Sequence, residues 1–299
     1  MTTTAPSPAP ASSPVPAPSP TPAEETTAVS VPPSADCLAD SAGGLTFDVA
    51  DWRPAAGTAA YLVLVPRDAD TATEEVRLPL TPGPEGRLRA VLTASATLAE
   101  GRWDVHVAAD GAAPQRILPG MNDLRALVDR TPEPGTGPLA VRIPYATKHG
   151  NLSLRSWLRA DHAEAGDIRV DGGALAVVGR LHRVEDPGTW LAGAVVEARR
   201  RSDKQALTVP VTADGDGFAF TLPYADPAAS WSGDADVWDL WLRPAEGDPV
   251  RIARILDDVA DKKPIFTYPA RKVDAPHGAA KAVPYYTVDN DLSVRVQAA

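Results

Sequence analysis

The sequence predicts an all-β protein, two tandem sandwiches behind an extended arm, and three observations predict it: an internal repeat, apolar residues alternating with a period of two, and a proline-rich start. The repeat is the most specific. The run PYATKHGNLSLR from Pro144 to Arg155 returns about 140 positions later as PYYTVDNDLSVR from Pro284 to Arg295, and six of the twelve positions are identical. WDVHV at Trp103 returns as WDLWL at Trp238, and Arg116, Ile117 and Leu118 match Arg254, Ile255 and Leu256. Leu78, Pro79, Leu80 and Gly86 match Val209, Pro210, Val211 and Gly217. One structural unit used twice gives two domains, as 299 residues allow at roughly 100 to 200 per domain.

Residues 1–38 hold ten prolines among Ala, Ser and Thr, a composition that buries little surface and predicts a disordered spacer. The first sandwich occupies 39–160, with strands expected at 45–49, 59–65, 74–80, 87–92, 102–107, 115–118, 139–143 and 152–157. Residues 158–173 are polar, end in Asp171, Gly172 and Gly173, and read as a linker into a second sandwich over 161–299. Its strands are expected at 174–179, 191–198, 206–211, 217–222, 237–242, 250–255, 265–268 and 292–296. Residues 121–130 and 256–263 each predict one helical turn. Seven or eight short strands in about 120 residues match an immunoglobulin-like sandwich.

Alternation assigns faces. Trp103, Val105 and Val107 share the core side of their strand, as do Trp238, Leu240 and Leu242, so the repeated tryptophan is a core anchor. Ser153, Arg155, Ser293 and Arg295 point outward, which predicts surface pairs Asp104–Arg155 and Asp239–Arg295.

The formal net charge of -10, with no basic stripe, excludes the electrostatic footprint of nucleic-acid binding. No window approaches the ~20 apolar residues that span a bilayer, and MTTTAPSPAP has neither the charge nor the apolar run of a secretory signal. The single Cys37, at the edge of the arm, has no intramolecular partner, so the expectation is a cytoplasmic chain without disulfides. Arginine supplies 23 of 29 basic residues, and with abundant alanine and proline this suggests a high-GC, actinobacterial genome.

No catalytic, cofactor or metal constellation emerges. Thr212 to Phe218 begins like a calcium loop but lacks the later carboxylate, so it reads as a hairpin turn. Asp257, Asp258 and Asp261 are the densest acidic cluster. An acidic pair of that kind holds a metal in a nucleotide-sugar fold, but no βαβ pattern or glycine loop accompanies it, and it reads as a solvated turn. The five histidines lack metal-ligand spacing, and no GxSxG element occurs. What remains is aromatic. Trp241 is outward facing by alternation, its first-copy equivalent is His106, and Trp231 lies in a nearby loop. Together these three are candidate contacts for a sugar or a protein partner.

On WDLWLRP, Arg254 to Asp258 and PYYTVDNDLSVRV, the chain resembles the β-sandwich domains at the C-terminus of actinobacterial glycosyltransferases and of teichoic-acid-type glycosyl and glycerophosphate transferases. The resemblance spans about 260 residues. It implies sandwiches that assist oligomerisation or engage a polymer, with catalysis in a separate nucleotide-sugar domain that this sequence does not show. The favoured function is therefore a non-catalytic accessory protein that binds a glycosyltransferase or its glycan polymer, or self-associates. The alternatives are a transferase with a site built from Asp257 and Asp258, and a structural spacer.

Overall fold

The computed structural model describes residues 1–4, 31–67, 74–128, 130–133, 135 and 137–299. The chain divides into two compact units, Met1–Val31 and Pro32–Ala299. Most of the expected arm, residues 5–30, lies outside the described residues.

The second unit is almost entirely β. Its first half holds β1 (Ser34–Ala39), β2 (Leu45–Ala50), β3 (Ala60–Pro66), β4 (Val76–Pro79), β5 (Thr81–Pro82), β6 (Leu88–Leu92), β7 (Gly101–Ala109), β8 (Gln115–Arg116), β9 (Leu118–Asp123), β10 (Leu139–Ala146) and β11 (Leu152–Arg159). Its second half holds β12 (His162–Asp171), β13 (Ala174–His182), α1 (Pro187–Leu191), β14 (Val195–Arg200), β15 (Ala206–Pro210), β16 (Thr212–Asp214), β17 (Gly217–Pro223), α2 (Ala225–Ala229), β18 (Asp236–Arg243), β19 (Val250–Ala253), β20 (Arg271–Ala275), β21 (Gly278–Tyr286) and β22 (Leu292–Ala298).

The repeat in sequence is a repeat in topology. The first half pairs its strands in the orders β5-β6-β2-β1-β9 and β10-β11-β7-β3-β4, and the second half repeats them as β16-β17-β13-β12-β19 and β21-β22-β18-β14-β15. In both, the closing strand runs parallel to the opening one, β9 on β1 and β19 on β12. β20 is an addition at the edge of β21. Pro79 and Pro210 end the edge strands β4 and β15, where a missing N–H costs no internal ladder bond.

Each half folds these two strand sets over a core; in the second half β19 pairs with both β12 and β18 and joins the sets into one sheet. Trp103, Val105 and Val107 of β7 meet Phe47, Leu45 and Ala90 of the facing sheet. Trp238, Leu240 and Leu242 of β18 meet Leu175, Val177, Phe218 and Phe220. The tryptophans are the anchors that alternation assigns, at 2% and 0% exposure.

A third cluster joins the halves. Leu139, Val141 and Ile143 of β10 and Trp157 of β11 pack with Leu124 and Leu127 and with Ala253 and Ile255 of the second half. β11 is consequently buried on both faces over Leu152 to Trp157.

Several boundaries differ from expectation. Residues 34–38 belong to β1 rather than to the arm. Ala35 and Cys37 are fully buried, and burial pushes the Cys37 thiol pKa up. Small residues following Pro32 and Pro33 hide this alternation in the sequence. The linker expected at 161–173 is largely β12, whose alternation of Ala163 and Ala165 changes phase at a bulge before Ile168. Gly166 sits in that bulge, where a Cβ would lie 3.0 Å from the Val178 carbonyl oxygen. Gly172 and Gly173, both at positive φ, form the two-residue turn into β13. Instead of a strand at 265–268, Phe266 and Tyr268 pack from a loop against Tyr286. The long β21 has little apolar signal, because Ala280 and Ala282 carry part of its buried face. Residues 256–263 form bends, and a 3₁₀ turn at Arg125–Leu127 answers the other expected helical turn.

The two anchors differ in one respect. Trp103 Nε1 donates to the Ala99 carbonyl at 3.0 Å, whereas Trp238 Nε1 is buried without a protein acceptor. Replacing either by alanine should cost about 3 to 5 kcal/mol. Replacement by phenylalanine should cost about 1 kcal/mol more at Trp103 than at Trp238, because only the first breaks a hydrogen bond to a partly buried carbonyl. Urea unfolding of the two variants measures the difference.

Candidate functional site

The exterior of the central strand carries the same polar arrangement in each half. In the first, Asp104 projects from β7 opposite Ser153 of β11. Arg67 follows β3, Arg116 lies on β8 and Tyr145 on β10. Arg67 Nε donates to Asp104 at 3.0 Å, its Nη2 to Ser153 Oγ at 2.8 Å and its Nη1 to Tyr145 Oη at 3.3 Å. Arg116 reaches the same carboxylate at 3.0 Å, and Ser153 Oγ donates to it at 3.0 Å. Burial works against ionised Asp104, but hydrogen bonds from Arg67 and Ser153 and the charge of Arg116 outweigh it and hold the carboxyl below its usual range.

The second half repeats this residue for residue. Asp239 of β18 lies opposite Ser293 of β22 and accepts from Arg201 at 2.6 Å and from Ser293 Oγ at 2.9 Å, with Arg251 at 3.4 Å. Burial is again outweighed by these donors, and Asp239 is also held low. The surface pairs expected at Asp104–Arg155 and Asp239–Arg295 therefore do not form. Register explains the miss: the residue opposite each aspartate is serine, and Arg155 lies opposite Arg102. Arg155 instead pairs with Asp289 at 2.6 Å, and the Arg295 guanidinium lies 4.6 Å from the centre of the Tyr285 ring.

The structural partner of Arg116 is Arg251, not Arg254. His106 pairs with Arg116 across β7 and β8 as Trp241 pairs with Arg251 across β18 and β19. The segment RIARIL contains the Arg-Ile pair twice, and only the first copy is in register.

A cavity of about 600 Å³ opens beside Asp104, walled by Arg67, Arg102, Arg116, Tyr145 and Lys148. One of about 470 Å³ occupies the equivalent position beside Asp239, walled by Arg201, Arg251, Tyr285 and Arg295. Their rims are the matching loops 147–151 and 287–291. In each, threonine Oγ1 accepts two backbone N–H groups, and a left-handed residue, Gly150 or Asn290, makes the turn.

The loops meet different fates. Lys148, His149 and Gly150 are exposed. Asn290 is fully buried, with its amide oxygen accepting from Lys262 N at 3.1 Å. Asp289 receives Arg155, and its carbonyl receives Trp157 Nε1 at 3.2 Å.

The aromatic candidates fall in different places. His106 and Trp241 lie on the same strand face as the aspartates, two residues further on, and both are partly buried. The Arg199 and Arg251 guanidiniums lie 4.9 and 5.2 Å from the centre of the Trp241 ring, covering part of it. Burial and then the charge of Arg116 lower the His106 pKa, so the ring is neutral at pH 7. Trp231 is not an exposed loop aromatic: it is 3% exposed within the second core, and its Nε1 donates to the Asp234 carbonyl. The sequence reading found the neighbourhood of the site through Trp241 and His106 but missed Arg67, Arg116, Tyr145 and Ser153. Placing Arg67 beside Arg201 at the end of matching strands was the available signal.

The acidic cluster is likewise not wholly solvated. Asp257 is 8% exposed and accepts from the fully buried Lys262 Nζ at 2.6 Å and from Arg254 Nε at 3.1 Å, while Asp258 and Asp261 are exposed. Among the described residues no group of three or more His, Cys, Asp or Glu is placed to hold a metal ion, and no helix is long and apolar enough to cross a membrane. The Thr212 to Phe218 run forms the β16–β17 hairpin.

No protein-family model and no curated protein matches the chain. Among solved structures it is similar to TarS of S. aureus, with 12% identity and a TM-score of 0.29 over 64% of this chain and 35% of that one. A shorter TarS fragment gives the same values with 56% of the fragment covered. A marsupial T cell receptor aligns with 7% identity and a TM-score of 0.26 over 88% of this chain and 91% of that one. The chain thus spans about a third of the length of TarS. Similarity at this level carries no functional argument.

Because the folded-state pKa of Asp104 is depressed, its contribution to stability is complete above the unfolded value of about 3.9 and is lost as pH falls through the folded value. Asp104→Asn should destabilise by about 1 to 2 kcal/mol at pH 7, with the difference from wild type shrinking below about pH 4. Denaturant titrations at pH 7 and pH 3 measure this. A second pH dependence resides in His182, stacked on His162 at 6.3 Å and lowered to about 4 by burial and then by the charge of His162. The unfolded chain takes up that proton near pH 6.5 and the folded chain does not, so stability should decline from pH 6.5 toward 4, and His182→Gln should flatten the slope.

Proposed function

We propose that residues 32–299 act as a non-catalytic binding module, two immunoglobulin-like sandwiches serving as an accessory to glycan-polymer synthesis by holding a polymer or its glycosyltransferase. The single observation that carries this reading is the open first-half cavity, in which three arginines, a lysine and a tyrosine converge beside an exposed loop. Guanidinium and phenol groups are suited to binding polar, oxygen-rich ligands. The chemistry of Asp104 favours holding over turnover. Its carboxylate already accepts from Arg67 and Ser153 and pairs with Arg116, which keeps it ionised and engaged. Asp257, the member of the acidic cluster nearest a buried cation, is committed to Lys262. The aromatic contribution of this module rests on Tyr145, with His106 and Trp241 as partly covered neighbours rather than open platforms.

A panel of glycan polymers titrated against the full chain, with intrinsic tryptophan fluorescence as readout, tests the reading. Saturable binding to at least one polymer is expected, weakened ten-fold or more by Tyr145→Ala with the fold retained. Turnover of a nucleotide sugar by the wild-type chain, abolished in Asp258→Asn, would overturn it in favour of a transferase.

A further inference from the structure

The two cavities share a plan but not a charge, and the difference identifies a ligand class. In the first, Arg67 and Arg116 divide a single carboxylate, Asp104, between them. Arg102 and Lys148 add two more cations, and among the described residues neither has a carboxylate within ion-pair distance. Against these four cations the lining offers Asp104 and, at the rim, Asp261. In the second cavity four cations, Arg201, Arg251, Lys263 and Arg295, face three carboxylates, Asp239, Asp289 and Asp291.

The substitutions that produce this are local and directional. The positions of Arg102 and Lys148 are taken by Val237 and Val288, and those of His149 and Asn151 by Asp289 and Asp291. Asp291 also approaches Arg251 at 3.6 Å and Arg159 at 3.8 Å, so the second cavity sets three carboxylates against its four cations where the first sets two. Holding four cations around two carboxylates, the partly buried Asp104 and the exposed Asp261, has an electrostatic cost that a bound anion removes. Arg102 meets this condition most directly, because its cross-strand neighbour Arg155 is itself a cation already paired with Asp289.

We propose that the first-half cavity is an oxyanion site that takes a phosphate ester, and that the second-half cavity is its inactive counterpart. A phosphate presents several acceptor oxygens, which suits guanidinium forks and an ammonium converging from different strands. A long nucleic acid is the disfavoured carrier, because a chain of net charge -10 repels an extended polyanion beyond the pocket. This deepens the binding-module reading and rests on it.

Isothermal titration of the full chain with inorganic phosphate and with glycerol 3-phosphate, against neutral glycerol and against hyaluronate as a carboxylate polymer, tests the assignment. The decisive variant is the double change Arg102→Val with Lys148→Val, which writes the second-half residues into the first half and removes no described ion pair. Binding of both phosphate probes is expected, weakened by rising salt and reduced at least ten-fold in the double variant, with the melting temperature unchanged and glycerol inert. Phosphate binding that survives the double variant, or binding of hyaluronate with none of either phosphate probe, overturns the phosphate assignment. If the phosphate probes fail while a neutral glycan still binds and Tyr145→Ala abolishes that binding, the anion inference falls and the binding-module reading stands. Should the double variant lose stability, Arg102→Gln alone, read by the salt dependence of phosphate binding, replaces it, and an unchanged dependence counts against the proposal.

Discussion

The structure depends on the burial of a sheet face that a free-standing sandwich would expose. β10 and β11 belong to the first half, yet Leu139, Val141, Ile143 and Trp157 turn away from its core and are sealed by Ala253 and Ile255. Covering such a face with apolar surface contributes about 25 cal/mol per Å² removed from water. Polar groups caught in the contact find local partners: Trp157 Nε1 the Asp289 carbonyl, Arg155 Nη2 the Asp289 carboxylate, and Lys262 Nζ Asp257 and the Val259 carbonyl, while Arg155 Nε is buried without one. A fully buried lysine is tolerable only with such partners. Its pairing fixes the residue 256–263 segment against Asn290 and so sets the geometry of the seam.

That seam breaks the symmetry of the repeat. A turn of one design follows β10 and β21, closed by equivalent threonines, but the second is drawn into the contact while the first stays in solvent. Residues freed from packing can carry charge without a desolvation cost, and His149 and Gly150 stand exposed where Asp289 and Asn290 serve the seam. One loop is structural and the other is available, although both descend from the same local rules.

Legibility in the sequence follows the physics of each feature. Trp103 and Trp238 were readable because large apolar residues with a period of two have one good place to go. β1, β12 and β21 were not, because alanine and cysteine bury their faces without a strong apolar signal, and the bulge before Ile168 shifts the phase midway. The buried state of Ser153 and Arg155 was invisible for a different reason. Alternation correctly turns them away from their own core, but it contains no information about what covers the outside: the Arg67 and Arg116 side chains over Ser153, and Asp289 of the second half against Arg155. The Asp104 constellation draws on four separate strands and the residue after a fifth. Only the pairwise register decides that serine, and not arginine, sits across from the aspartate.

Net charge misled in a similar way. An overall -10 argues against polyanion binding at long range, but at physiological ionic strength fields decay over about 8 Å, so a pocket responds to its own walls. Arg67, Arg102, Arg116 and Lys148 are scattered over more than eighty positions of the sequence and form no basic run. Antiparallel pairing of β3, β7 and β8 brings three of them to one mouth, and the β10–β11 turn supplies the fourth. The same pairing in the second half assembles a version of the site with one more carboxylate, Asp239, Asp289 and Asp291 facing four cations. The β-fold therefore determines where a polar pocket occurs, and whether that pocket has charge to offer is decided by a few residues, chiefly those in the turn that the seam leaves in solvent.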